Sequence, residues 1–119
     1  MSDLELGNSR TVFVVNADST KDLSEARKFG KLRAVFDNPR KPYDTKKLMS
    51  QARFVLQNFE DGDYLLMIGD PALCAIATSV VSEQYGKINT LSWDRRHFTY
   101  TRQEWNFDHD YPEEPNDKN

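Results

Sequence analysis

Asp63–Asp94, DYLLMIGDPALCAIATSVVSEQYGKINTLSWD, is the stretch that decides the fold. Tyr64–Ile68 is a short run of bulky apolar residues, the pattern of a strand buried on both faces. Gly69-Asp70-Pro71 turns the chain into a helix. Asp70 is a capping type, whose carboxylate takes an orphan backbone N–H, and Pro71 suits the first helical position, where its missing N–H costs nothing. Residues 71–81 are apolar almost all round, which predicts a deeply buried helix, under the chain's own tail or a partner. Gly86 stops it and Ile88–Trp93 reads as the next strand. Strand, helix and strand in this order form the building unit of a parallel α/β sheet.

Working outward, Thr11–Asn16 (TVFVVN) is a continuous β-branched and aromatic run, a second strand buried on both faces. Asp22 with Glu25 three residues on resembles a capping box, and Leu23, Ala26 and Phe29 give the short helix that follows one apolar edge up to Gly30. Lys31–Asp37 alternates Leu32, Ala34 and Phe36 with more polar positions, as an edge strand does. Pro39 and Pro42 make Asn38–Tyr43 a loop. From Asp44 or Thr45 to about Phe59, Leu48, Ala52, Val55, Leu56 and Phe59 form the stripe of a helix covering a sheet. Phe98–Trp105 follows Ile88–Trp93 after the four residues Asp94–His97, a hairpin connection. The order β-α-β-α-β-α-β-β predicts an α/β fold. It is expected as a single three-layer sandwich with a mostly parallel sheet, its first and third strands central and an antiparallel C-terminal strand at one edge. Residues 1–10 read as a flexible arm, 11–107 as the domain and 108–119 as an acidic tail.

The 119 residues suffice for one core, and 38% hydrophobic content with a mean hydropathy of −0.76 is concentrated between residues 11 and 105. The polar start Met1–Arg10 has no signal-peptide pattern, and no apolar run reaches the roughly 20 residues that cross a bilayer. A cytoplasmic location without membrane contact is expected. The single cysteine, Cys74, sits among Leu73, Ala75 and Ile76, as a small buried hydrophobe does, and cannot form an internal disulfide. The net charge of −3 is uneven. Lys21–Arg53 holds ten basic and four acidic residues, whereas Glu104–Asn119 holds six acidic residues against Lys118.

Ligands of open parallel sheets meet the carboxyl ends of the strands. Asn16 and Asp18 follow the first strand, Asp37 the second, Asp70 the third and Asp94 the fourth. Asp18, Asp70 and Asp94 together would make an oxygen-ligand set for Mg²⁺, the ion of phosphoryl-transfer chemistry. The plainer alternative is that each aspartate serves its own turn or cap. Arg95, Arg96 and His97 could grip a phosphate or carboxylate, or be the solvated charges of a hairpin turn. Lys28, Lys31, Arg33, Arg40, Lys41, Lys46, Lys47 and Arg53 could follow a nucleic-acid backbone, or be a solvated face balanced by the tail. No histidine pair, phosphate loop or dinucleotide fingerprint occurs among these residues, and no nucleophile is placed by spacing, so no catalytic residue is assigned.

YLLMIGDPALCAIATSVVSEQYG…LSWDRR, with KKLMSQARFVLQNFEDGDY before it, resembles small proteins encoded by tailed bacteriophages. The likeness rests on the strand–GDP–helix and the terminal WDR, covers about half the chain, and implies a viral accessory protein made in a bacterial cytoplasm. The first expectation is therefore a non-enzymatic binding protein, without cofactor, that contacts a protein partner or self-associates. The second is a Mg²⁺-dependent enzyme acting on nucleotides or nucleic acid through Asp18, Asp70 and Asp94. The third is nucleic-acid binding by the basic region 21–53.

Overall fold

A computed structural model describes residues 10–18 and 21–107. Strands β1 (Thr11–Asn16), β2 (Lys31–Phe36), β3 (Tyr64–Leu66), β4 (Lys87–Asp94) and β5 (Thr99–Asn106) form one sheet in the order β2-β1-β3-β4-β5. β1 pairs with β2 and β3 in parallel, β3 with β4 in parallel, and β4 with β5 antiparallel, so the α/β architecture and its antiparallel C-terminal edge are as expected. Helices α1 (Thr45–Leu56) and α2 (Pro71–Gln84) connect β2 to β3 and β3 to β4. The expected tail, 108–119, lies outside the described residues, as does all of the expected arm except Arg10. Arg10 is tied into the domain, its guanidinium donating to the Asp61 carbonyl at 2.8 Å.

Burial of β1 on both faces divides the core in two. Phe13 and Val15 look toward α1 and α2 and pack with Leu56, Phe59, Leu73 and Val81. Val12 and Val14 look the other way, onto Ala26, Leu66, Leu91 and Tyr100. The second face is covered by less than the sequence suggests, since Ser24–Phe29 is a six-residue 3-10 helix. Leu23, Ala26 and Phe29 recur every three residues, which is the 3-10 repeat and not the α repeat. The expected capping box is absent as well. Asp22 accepts the N–H of Ser24, two residues on, and the residue at the cap position, Leu23, has no side-chain oxygen.

The all-apolar helix also differs from expectation. α2 buries Leu73, Ala77, Val80 and Val81 and leaves Ala72, Ala75 and Ser79 in solvent. Small side chains have little apolar area to lose, so a helix can be apolar all round and still bury only one stripe. β3 is shorter than Tyr64–Ile68: Met67 N still donates to the Leu91 carbonyl at 2.9 Å, but Ile68 N turns back to the Leu66 carbonyl as the chain heads for Gly69. Gly69 has φ +111°, and a Cβ there would lie 2.7 Å from the Asn16 Cβ, so both backbone conformation and space call for glycine.

Asp63 is 4% exposed, and its two carboxylate oxygens are shared between two backbone donors: Oδ1 accepts from Thr11 N and Oδ2 from Glu60 N, each at 2.9 Å. The first bond holds the start of β1 against the entry to β3, and the second closes the turn after α1. An amide has one accepting oxygen in place of two. Asp63→Asn, like Asp63→Ala, is therefore expected to cost about 1–3 kcal/mol in chemical denaturation, because the buried side chain gives up a hydrogen bond and a half-buried N–H loses its acceptor.

Candidate functional site

The carboxyl ends of β1, β2 and β3 form the rim on which the sequence placed its candidate ligands. Asn16 Oδ1 accepts the N–H of Asn38 at 2.7 Å, joining the ends of β1 and β2, while Gly69 passes against its Cβ. Asp18 lies in a cleft of about 520 Å³ with Lys21, Asp22, Arg27 and Asp37. Asp70 sits at the start of α2 and does two things. Its Oδ1 caps the helix by accepting from Ala72 N at 2.8 Å. Its Oδ2 accepts from the Tyr43 hydroxyl at 3.1 Å and pairs with Lys41 Nζ at 3.0 Å, so the β2–α1 loop is pinned to the helix end. The Ala72 N–H, followed by the Lys41 ammonium, holds the Asp70 carboxyl below its ordinary range, and Asp70 in turn raises Lys41.

Asp94, the third expected ligand, belongs to the hairpin turn. Its Oδ1 accepts from Arg96 N at 2.9 Å and His97 N at 3.3 Å, and its Oδ2 meets His97 Nδ1 at 2.8 Å. The His97 ring and then the Arg96 N–H hold its carboxyl low. Asp70 and Asp94 thus have different partners. Among the described residues no three of His, Cys, Asp and Glu gather into a group able to hold a metal ion. The expected anion grip divides in the same way. His97 and the Arg96 backbone close on the chain's own Asp94, whereas Arg95 lines a different cleft of about 490 Å³ with Lys21, Asp22, Trp93 and Tyr100.

The basic residues wrap around the β2 side of the molecule and do not line one groove. Lys28 is on the 3-10 helix, Lys31 and Arg33 on β2, Arg40 and Lys41 in the loop, and Lys46, Lys47 and Arg53 on α1. The 3-10 helix and α1 lie on opposite faces of the sheet. Lys28 pairs with Glu25 at 2.7 Å, Lys41 with Asp70, and Arg53 with Glu83 at 3.5 Å. Cys74 is half-buried, and burial, aided by the Asp70 charge, pushes its thiol up, away from the thiolate that a nucleophile needs.

The feature not foreseen from the sequence is aromatic. Four large apolar side chains are exposed among the described residues, and Trp93, Phe98 and Trp105 all stand on the β4–β5 hairpin; Phe54 on α1 is the other. Phe98, at the last turn position, is 76% exposed with φ +53°, a left-handed conformation that a bulky residue rarely holds. Trp105 donates its indole N–H to Thr90 Oγ1 at 2.9 Å and, with Met67, Thr78 and Phe107, lines an apolar groove of about 260 Å³ between α2 and β5. Strand alternation foretold none of this, because the number of covering helices decides which face of β5 stays open.

The lowered Asp70 carboxyl sets a sign for pH dependence. A depressed folded-state pKa gives stability that is present above the unfolded-state value and lost as pH falls through the folded one. Asp70→Asn is expected to melt below wild type at pH 7, with the difference in Tm closing as pH falls below about 4. A difference that stays constant with pH would remove the carboxylate from the account.

The sequence over residues 10–107, which takes in every described strand and helix, matches the family model described as Phage Pam3 gp32-like protein. No curated protein and no solved structure matches the chain. Among the described residues no helix is long and apolar enough to cross a membrane. The small-phage-protein resemblance carried by the strand–GDP–helix and WDR segments extends, with this match, to residues 10–107. The chain belongs to the Phage Pam3 gp32-like protein family.

Proposed function

We propose that this phage-family chain is an accessory protein that works in the bacterial cytoplasm by contact with another protein and not by catalysis. The observation that supports the reading is Phe98. An exposed aromatic in left-handed backbone costs the isolated fold on the order of 1–3 kcal/mol and buries no compensating area. A glycine or asparagine would form the same turn without that cost. A ring kept there at a loss to the free chain is accounted for by a second chain that covers it. Trp93, edge-on to Tyr100 with ring centroids 4.9 Å apart, stands exposed on the same hairpin. Aromatic anchors ringed by charge, here Arg95, Arg96 and Asp94, are the usual centre of a protein contact.

Phe98→Gly and Phe98→Asn separate this role from a structural one. Both are expected to leave Tm unchanged or raise it, with a gain of up to about 1 kcal/mol once glycine's unfolded-state entropy is set against the relieved strain. Both are also expected to lose a partner that the wild-type protein retains from lysate of phage-infected cells, compared side by side by mass spectrometry. Equal retention by wild type and both variants would overturn the reading, as would a fall in Tm of either variant.

A further inference from the structure

We propose that two copies of the chain join through the outer edges of their β5 strands, antiparallel about a two-fold axis at Gln103, into one ten-stranded sheet. The direction of the backbone groups comes first. Phe107 donates its N–H to the Gly86 carbonyl at 2.7 Å, in continuation of the register Lys87↔Asn106 to Asp94↔Thr99. Odd-numbered residues of β5 therefore turn their N–H and C=O groups to β4. The even-numbered ones, Tyr100, Arg102, Glu104 and Asn106, turn theirs outward. Among the described residues β5 is the last strand of the sheet and nothing pairs with that edge.

One self-pairing satisfies all four outward residues at once. With Gln103 opposite Gln103, Arg102 faces Glu104 of the other copy and Tyr100 faces Asn106, each pair exchanging two backbone hydrogen bonds. Opposite charges thus meet twice, beside the Lys87–Glu104 contact that each copy already holds at 3.9 Å. Moving the axis by one residue, to Arg102 or Glu104, puts like charges directly opposite, which is destabilising. On the helix-bearing face the same register sets Thr101 of one copy beside the exposed Trp105 of the other.

The two edges of the sheet are built differently. β2 is six residues long and carries Lys31 and Arg33, and the Gln51 amide takes its Val35 carbonyl at 3.0 Å. Two β2 strands would repel. β5 is eight residues long and has no lysine, proline or bulge to keep the edge from pairing, and its two charges, Arg102 and Glu104, are of opposite sign. A second copy is the occupant that its charges complement. This inference is independent of the hairpin-tip contact, since Arg95–Phe98 lies beyond the paired Tyr100–Asn106.

Light scattering after size exclusion, from about 1 to 100 µM, reads the assembly in a range where weak dimers dissociate. Wild type is expected to dimerise, and Phe98→Gly to dimerise equally. Arg102→Glu and Glu104→Arg are each expected to weaken the dimer about tenfold or more, and the charge-swapped double variant R102E/E104R to restore it. In a Cys74→Ser background, Gln103→Cys is expected to form a disulfide dimer under mild oxidation, because directly opposed residues of a non-hydrogen-bonded pair have Cα atoms about 4.5 Å apart. Thr101→Cys, facing Trp105, is not. A wild-type monomer at 100 µM, an Arg102→Glu dimer as tight as wild type, failure of the double variant to recover, or cross-linking by Thr101→Cys in place of Gln103→Cys would each overturn the proposal.

Discussion

One buried carboxylate holds the frame together. Asp63 meets the first N–H of β1 and the turn that ends the α1 connection, so two segments fifty residues apart in sequence begin the sheet in register. A buried charge is tolerated when each oxygen has a donor, and here each one does. Once the starts of β1 and β3 are aligned, their ends are aligned as well. Asn16 then reaches Asn38, Gly69 passes against Asn16, and Asp70 comes to the foot of α2 within reach of Tyr43 and Lys41. The rim is thus a consequence of a constraint at the opposite end of the strands.

The aspartates of the rim spend their charge on the fold. Asp70 and Asp94 each gather backbone N–H groups and a cationic or imidazole neighbour, which is local capping chemistry carried out at a sheet edge where other proteins bind ligands. The most open apolar surface among the described residues is on the β4–β5 hairpin. It presents Trp93, Phe98 and Trp105, an uncovered strand edge and a groove toward α2. Two helices can cover about three strands of this sheet on one face, and the fifth strand extends past them.

Much of the architecture was legible because it rests on local patterns. The β-branched run of Thr11–Asn16, the GDP corner and the stripe Leu48, Ala52, Val55, Leu56 and Phe59 each name an element from a few neighbouring residues, and all of the stripe is buried. The hairpin follows from a four-residue connection. Misreadings arose where composition stood in for geometry. Small residues make α2 look buried on every side, and the three-residue repeat at Leu23, Ala26 and Phe29 fits a 3-10 helix as readily as the edge of an α-helix. The site was less legible, since an aspartate after a strand has the same signature whether it caps a helix or binds an ion.

By itself the sequence determined which segments are strands and which are helical, their order and the parallel class of the sheet, because propensity, periodicity and connection length act over a handful of residues. It also supplied the phage-protein likeness through the GDP and WDR segments. Only the tertiary structure decided that Asp70 and Asp94 each serve their own cap or turn, that Asp63 is the buried carboxylate among the described residues, and that Phe98 stands exposed in a left-handed turn. These are questions of which distant residues share space, and burial and partnership depend on how far the helices reach across the sheet.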